Sequence, residues 1–380
     1  MSRRNARAGL AAVGMRRVGA VGAAILLGCA GGLRAASAAQ WDLDTSGALL
    51  LNFDRPSGAY VEDEFKRWES SVRSAELEFE LDYGERWSAT LELGMGRGDA
   101  EPQVDDAYLE FEVNDWLALR GGRFKPDYGL ENSSSGKRVW FNERAMAADS
   151  LAAERGDGIG AEIDIDHVFV AVAFTRRDND EDDAQLGGFH ARGVYTGDPG
   201  KDRHWHIGTS LGQIAYDGAQ HRVRSDAELN ISGSILRSPN NVDAVDVLLQ
   251  AFDAAWVRGP LAVQGEFLTQ AVDPVEGDDF KLDGYALSAS WFLDDSHHRY
   301  KDGSLRDPDL QGDRAIELVA RHGCLDLRAR GKGDAGCTAS LGINYYWKKR
   351  MRLGADYIRL DRDDGEPSGK AWSLRAQWRF

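Results

Sequence analysis

Apolar and polar residues alternate strictly over six stretches of this chain, and that period of two is its strongest signal. Leu77, Phe79, Leu81 and Tyr83 alternate with Glu76, Glu78, Glu80 and Asp82. Ala107, Leu109, Phe111 and Val113 alternate with Asp106, Tyr108, Glu110 and Glu112. The pattern recurs at Ile159, Ala161, Ile163 and Ile165, at Tyr285, Leu287, Ala289 and Trp291, and at Ile343, Tyr345 and Trp347. It is cleanest at the end, where Trp372, Leu374, Ala376, Trp378 and Phe380 alternate with Ser373, Arg375, Gln377 and Arg379. Successive side chains of a strand point to opposite faces, so each stretch has one apolar and one wet face. Weaker strand patterns lie near 41–53, 86–96, 116–124, 168–175, 189–197, 204–213, 226–235, 244–257, 261–270, 312–321 and 351–360, which brings the count to seventeen.

The connections fall into two classes. Tyr83-Gly84-Glu85-Arg86, Asn114-Asp115, Arg258-Gly259-Pro260 and Lys348-Lys349-Arg350 are tight. Arg176 to Gln185, Asp294 to Asp313 and Asp361 to Glu366 are long and acidic. Short turns at one rim and long loops at the other are the pattern of an outer-membrane β-barrel. A soluble β-sandwich also alternates, but its wet faces carry few aromatics. Here Trp41, Trp87, Trp116, Trp205, Trp256, Trp291, Trp347, Trp372 and Trp378 cluster at strand ends, as in the aromatic girdles of a membrane barrel. The expected fold is therefore all-β: a transmembrane antiparallel barrel. Single-chain bacterial barrels use even strand numbers, so one of the seventeen strands is split, false or unmatched. At roughly 21 residues per strand and connection, residues 40–380 make about 16 strands.

Residues 1–39 read as a targeting segment. Arg3, Arg4, Arg7, Arg16 and Arg17 precede a short uncharged apolar run, Val18 to Leu27, and Ala36-Ser37-Ala38 or Ser37-Ala38-Ala39 offers small residues for cleavage. Leu26-Leu27-Gly28-Cys29 resembles a lipoprotein box and Arg16-Arg17 a twin-arginine signal; ordinary export is the simpler reading. Mean hydropathy is -0.45 and no later apolar run reaches spanning-helix length, which a barrel does not require. A net charge of -16 argues against nucleic acid as a partner. Cys324 and Cys337 remain after the leader and are expected to form a disulfide across the glycine-rich connection Arg321 to Thr338.

One stretch breaks the strand rhythm. From Arg120 to Gly160 about thirty residues show no clean period, a length that in a compact chain is functional or disordered. Phe124, Tyr128, Leu130, Val139, Trp140, Phe141, Met146 and Leu151 give it surface to bury. From Arg120 to Arg155 seven cations stand against five carboxylates, a local charge of +2 in an acidic chain.

Within that stretch lie Gly122-Arg123-Phe124-Lys125-Pro126, Tyr128-Gly129-Leu130-Glu131, Phe141-Asn142-Glu143-Arg144 and Arg155-Gly156-Asp157-Gly158-Ile159-Gly160. In these motifs the chain resembles the phosphate-selective porin O and P family. The resemblance implies a 16-stranded trimeric barrel in the outer membrane whose third outer loop, here residues 125–155, folds inward and narrows the pore. It implies passive diffusion of small anions, phosphate and polyphosphate among them, with outer-membrane lipid as the surroundings and no cofactor. Asp127 stands where a second proline is common, and Lys125 and Lys137 are the only lysines in the loop.

If the apolar face meets lipid, strand parity turns Arg120, Arg375 and Arg379 inward, together with Glu76, Glu78, Glu80, Glu110, Glu112, Glu162 and Glu317. Anion preference would then rest on Arg120, Arg123, Lys125, Lys137, Arg138 and Arg144 at the narrowing, with Arg375 and Arg379 as further lumen candidates. The bland alternative is that these cations pair with nearby carboxylates and anchor the loop, Glu143 with Arg144 above all. The acidic lumen keeps open a general or cation-leaning channel on the same scaffold. An enzyme or adhesin is disfavoured: the chain has no Gly-x-Ser-x-Gly, no P-loop and no metal-spaced histidine cluster. His204 and His206 share a strand face, with no third ligand near them in sequence.

Overall fold

The computed structural model describes residues 41–61, 67–96, 102–200, 202–230, 233–363 and 365–380. The leader segment 1–39 lies outside them. Sixteen long strands form one closed antiparallel sheet. They are β1 (Trp41–Gly58), β2 (Glu69–Tyr83), β3 (Trp87–Gly96), β4 (Gln103–Asn114), β5 (Leu117–Phe124), β6 (Gly156–Ile165), β7 (Val168–Asp178) and β8 (Gln185–Gly200). The second half is β9 (Arg203–Ala215), β10 (Val242–Arg258), β11 (Leu261–Pro274), β12 (Phe280–Phe292), β13 (Arg314–Asp326), β14 (Ala335–Trp347), β15 (Met351–Arg362) and β16 (Gly369–Arg379). Each strand pairs with its sequence neighbours, and β16 pairs with β1 from Ala48↔Arg379 to Gly58↔Gly369. Closure removes every sheet edge, which lipid would leave without hydrogen-bond partners.

The alternation works as the pattern requires. In β10, Leu248, Phe252 and Trp256 face outward and are exposed, while Leu249, Ala251 and Asp253 between them are buried. Trp41, Trp87, Trp116, Trp205, Trp256, Trp291, Trp347 and Trp378 stand outward near one rim, the rim that carries the chain end. Cross-strand ring pairs such as Trp41–Tyr83 (4.3 Å between centroids) and Trp87–Phe111 (4.5 Å) knit this belt together. Gly84 and Gly259, both at positive φ, close tight turns on the same rim.

Two expectations need correction. The stretch 226–235 is not a barrel strand. Ala227 and Glu228 both sit at positive φ (51° and 66°), which stops an extended run. The segment belongs to a connection, 216–241, that turns back into the barrel: Glu228 accepts hydrogen bonds from Thr338 and Ser340 at 2.9 Å. Removing that strand leaves sixteen and shifts the side of everything after it. Connection 293–313 consequently falls on the rim of the tight turns, not among the long loops. It carries a hairpin, His297–Lys301 with Ser304–Asp309, that enters the barrel from that rim. Its Leu305 packs with Leu130, Trp140 and Phe141, and the Leu305 N–H donates to Ser134 Oγ at 2.9 Å.

Cys324 and Cys337 are bonded, but not across a slack loop. They are direct register partners on β13 and β14, and the connection they flank is only 327–334. The ladder already holds the two ends. The Cys324→Ser, Cys337→Ser double variant should therefore lose well under the roughly 3 kcal/mol expected for closing a free loop of this length. Urea unfolding followed by tryptophan fluorescence measures it.

Candidate functional site

The segment between β5 and β6, residues 125–155, lies inside the barrel. Two short helical turns, α1 (Leu130–Ser133) and α2 (Met146–Ser150), give it local shape, and Tyr128, Leu130, Val139, Trp140, Phe141, Met146 and Leu151 are buried. The apolar residues that marked it as a folded segment are the ones that seat it. Its backbone is then tied strand by strand to the far wall. Gly129 N–H donates to Ser210 of β9 at 3.0 Å, and Glu131 N–H to Glu266 of β11. Arg352 of β15 donates to the carbonyls of Val139 (2.7 Å) and Trp140 (2.6 Å), and Asn344 of β14 to Trp140 O (2.8 Å). Asn142 N–H donates to Asp356 of β15 at 2.7 Å.

Two loop carboxylates carry the charged part of this seat. Glu131 accepts from Gln264 (3.0 Å), from Arg321 (3.1 Å) and from the Ala145 N–H (2.8 Å). Glu143 accepts from Arg73 (2.8 Å), Arg375 (2.5 Å) and Asn52 (3.3 Å). The expected Glu143–Arg144 pair does not form. Arg144 braces the loop internally, donating to the carbonyls of Glu131 (3.0 Å) and Ser134 (2.8 Å).

The loop thus clings to one side. Inward side chains of β7 to β16 are mostly buried, whereas those of β2 to β6 stay partly open: Glu76, Glu78, Glu80, Glu92, Asp106, Glu110, Arg120, Glu162 and Asp164. The accessible interior surface therefore lies along that acidic wall, which the loop touches through Lys137–Glu76 and Arg155–Asp106.

The candidate cations scatter among several roles. Arg120 lies on the open wall, held by Glu110 at 2.7 Å and Glu162 at 2.8 Å over the Tyr108 ring. Arg123 has the outward parity of its partners Ala107 and Asp157 and pairs loosely with Asp157 at 3.8 Å, so it does not reach the lumen. Lys137 meets Glu76 at 2.8 Å; burial works against its charge, and Glu76 nevertheless holds its pKa above the usual value. Arg138 reaches Asp307 of the inserted hairpin at 3.5 Å, and Arg379 binds the same carboxylate. Arg375 is buried in the Glu143 seat. Lys125 differs: among the described residues it makes no ion pair or hydrogen bond. Loss of hydration, and then the guanidinium groups of Arg144 and Arg155, push its pKa well below the lysine range.

Residues that sequence reasoning passed over are Arg73, Arg321 and Arg352, the wall arginines of the seat, and Arg192 and Asp253, which form a lumen network with His206, noted from the sequence only as one of two same-face histidines. Arg192 donates to Asp253 at 2.6 Å, and His206 Nε2 lies 2.6 Å from the same carboxylate. An arginine at an inward parity position of a strand was the available signal. Among the described residues, no three His, Cys, Asp or Glu side chains are grouped to hold a metal.

Comparison with known proteins points one way. The family model described as "Phosphate-selective porin O and P" matches residues 51–380. Porin O of Pseudomonas aeruginosa is 24% identical, over 94% of this chain and 93% of that protein. An anion-selective porin from Comamonas acidovorans superposes with a TM-score of 0.56 at 12% identity, over 90% of this chain and 100% of that one. The trimer form of OmpT from Vibrio cholerae gives 0.57 at 10% identity, over 90% and 99%.

Glu143→Ala removes the anion from a seat that Arg73 and Arg375 share. Stranding buried charge in this way costs about 3–5 kcal/mol. The variant should unfold more readily and show raised, noisy single-channel conductance as the loop loosens; planar-bilayer recording reads both the level and the noise.

Proposed function

This chain belongs to the phosphate-selective porin O and P family and is an outer-membrane porin; from that premise we propose that it passes small anions, phosphate among them, by passive diffusion through the gap between loop 125–155 and the wall β2 to β6. The observation that carries this reading is Lys125. Lys125 feels the charges of Arg144 and Arg155 and, more weakly, of Asp106 and Asp127, yet makes no ion pair among the described residues, so it lacks the close partner that a passing anion would supply. Low-dielectric walls strengthen that attraction, and an anion beside Lys125 would in turn favour its charged form. We also infer a homotrimer, by analogy with the trimer form of Vibrio cholerae OmpT, and removal of residues 1–39 on export.

A second reading has its own observation. Toward the rim of the chain end, which is the periplasmic side in this fold, Glu78, Glu80, Asp82, Glu110, Glu112, Glu162 and Asp164 line the open wall, with Arg120 as the strand cation among them. That lining favours cations. Reversal potential in a potassium chloride gradient separates the two readings by its sign.

The pH dependence follows from Lys125. Its depressed pKa means that it is charged at low pH and loses its charge as pH rises through a value below the ordinary lysine range. Anion preference should therefore weaken with rising pH. Lys125→Gln should show the weakened preference at every pH and no such transition. A wild-type reversal potential that is flat with pH, or one that Lys125→Gln leaves unchanged, would remove Lys125 from the path.

A further inference from the structure

The seam where the barrel closes holds two carboxylates that the loop seat does not use as charges. Asp356 of β15, Ser373 of β16 and Asp54 of β1 are direct register partners across three adjacent strands. All three are inside the wall, 1%, 1% and 0% exposed. The Asp54 carboxylate has only the Ser373 hydroxyl beside it, and neither Oδ1 of Asp356 nor Oδ1 of Asn142 has a hydrogen-bond partner among the described residues. The loop lays Asn142 over this row: its backbone N–H donates to Asp356 Oδ2, and its amide to Ser373 Oγ at 3.1 Å.

The guanidinium groups nearby, Arg375 beside both carboxylates and Arg352 and Arg321 beside Asp356, attract them but make their hydrogen bonds elsewhere. Arg375 donates to Asn52, to the Asn142 carbonyl and to Glu143. Arg352 donates to Asn344 and to the carbonyls of Val139 and Trp140. A buried carboxylate without a partner is costly, so a positive charge or a proton must accompany this pair.

We propose that the row is a hard-cation site for a divalent ion of the calcium class. Asp54 supplies two carboxylate oxygens, and Asp356, the Ser373 hydroxyl and the Asn142 side-chain oxygen complete the set. Every donor is an oxygen, which suits calcium and not zinc or copper. Two carboxylates balance one divalent charge, and the Asn142 amide turns over to present Oδ1. Only two of the ligands are carboxylates, so the site lies outside any grouping of three acidic or histidine side chains. The ion would fasten residues 140–143 of the loop to the seam. This inference rests on the seating of the loop and not on which solute the channel passes.

The test uses full-length mature protein refolded in detergent without lipopolysaccharide, freed of metal with EDTA and titrated with calcium chloride. Calorimetry should show about one calcium ion per chain, and the unfolding temperature should rise with calcium. Asp54→Asn should weaken binding at least about tenfold and abolish the calcium-dependent shift, because one charged ligand is lost. Asp356→Asn, which keeps an acceptor for the Asn142 N–H, should do the same. Calcium uptake that Asp54→Asn leaves unchanged would place the ion on rim carboxylates and overturn the proposal. No uptake by the wild type would overturn it too, assigning a shared proton to the pair.

Discussion

Glu131 and Glu143, two carboxylates within one loop, fix the interior of this barrel because each meets arginines that the wall cannot otherwise satisfy. Arg321 and Arg375 are buried among strands, where an unpaired charge is costly. Arg321 finds Glu131, with Glu228 of another inserted connection at 3.5 Å; Arg375 finds Glu143. Wall and loop are thus mutually dependent. The wall needs the loop's anions, and the loop needs the wall's donors for its carbonyls at Val139, Trp140 and Asn142. Hydrophobic contact adds to this through Leu130, Trp140 and Phe141, which share a cluster with Val257, Val319 and Leu305.

The geometry of the passage follows from that dependence. Because most of its partners lie on β9 to β16 and β1, the loop covers that side and leaves β2 to β6 partly open, reaching across to them through Arg73–Glu143, Lys137–Glu76 and Arg155–Asp106. The inserted hairpin 297–309 closes the same side from the opposite rim, with Arg138 and Arg379 sharing its Asp307. What remains is an off-centre path with carboxylates on the strand side and cations on the loop side. Opposed charges across a narrow gap produce a transverse field, and the balance of unpaired charge decides which ion gains. Lys137, Arg138 and Arg155 are already paired with carboxylates, whereas Lys125 makes no ion pair among the described residues, which is why the proposed anion preference turns on it.

Much of this was legible from the sequence, for identifiable reasons. Strand alternation is imposed by lipid on one face, so Trp372 to Phe380 or Leu77 to Tyr83 declares itself without tertiary information. The loop declared itself by breaking that rhythm while keeping Tyr128, Trp140 and Phe141. What was not legible depended on pairing across the barrel. Arg144 has a glutamate beside it in sequence, yet it binds carbonyls, because Glu143 points to β2 and β16. Arg123 falls one residue out of inward register. The stretch 226–235 has the composition of a strand, and two left-handed residues undo it. That one difference carries connection 293–313 to the other rim, where its hairpin shapes the lumen.

The central claim is that the loop is fastened across the lumen to the closing seam, and a crosslink tests it most directly. Asn142 and Ser373 are hydrogen-bonded through their side chains but 231 residues apart in sequence. With cysteines at both positions, folded protein treated with a short thiol-bridging reagent should form an intramolecular link in high yield. Its gel migration after boiling should shift, because the link closes a large covalent ring. Folded, heat-modifiable protein that gives no link under these conditions would place the loop away from the wall and contradict the account.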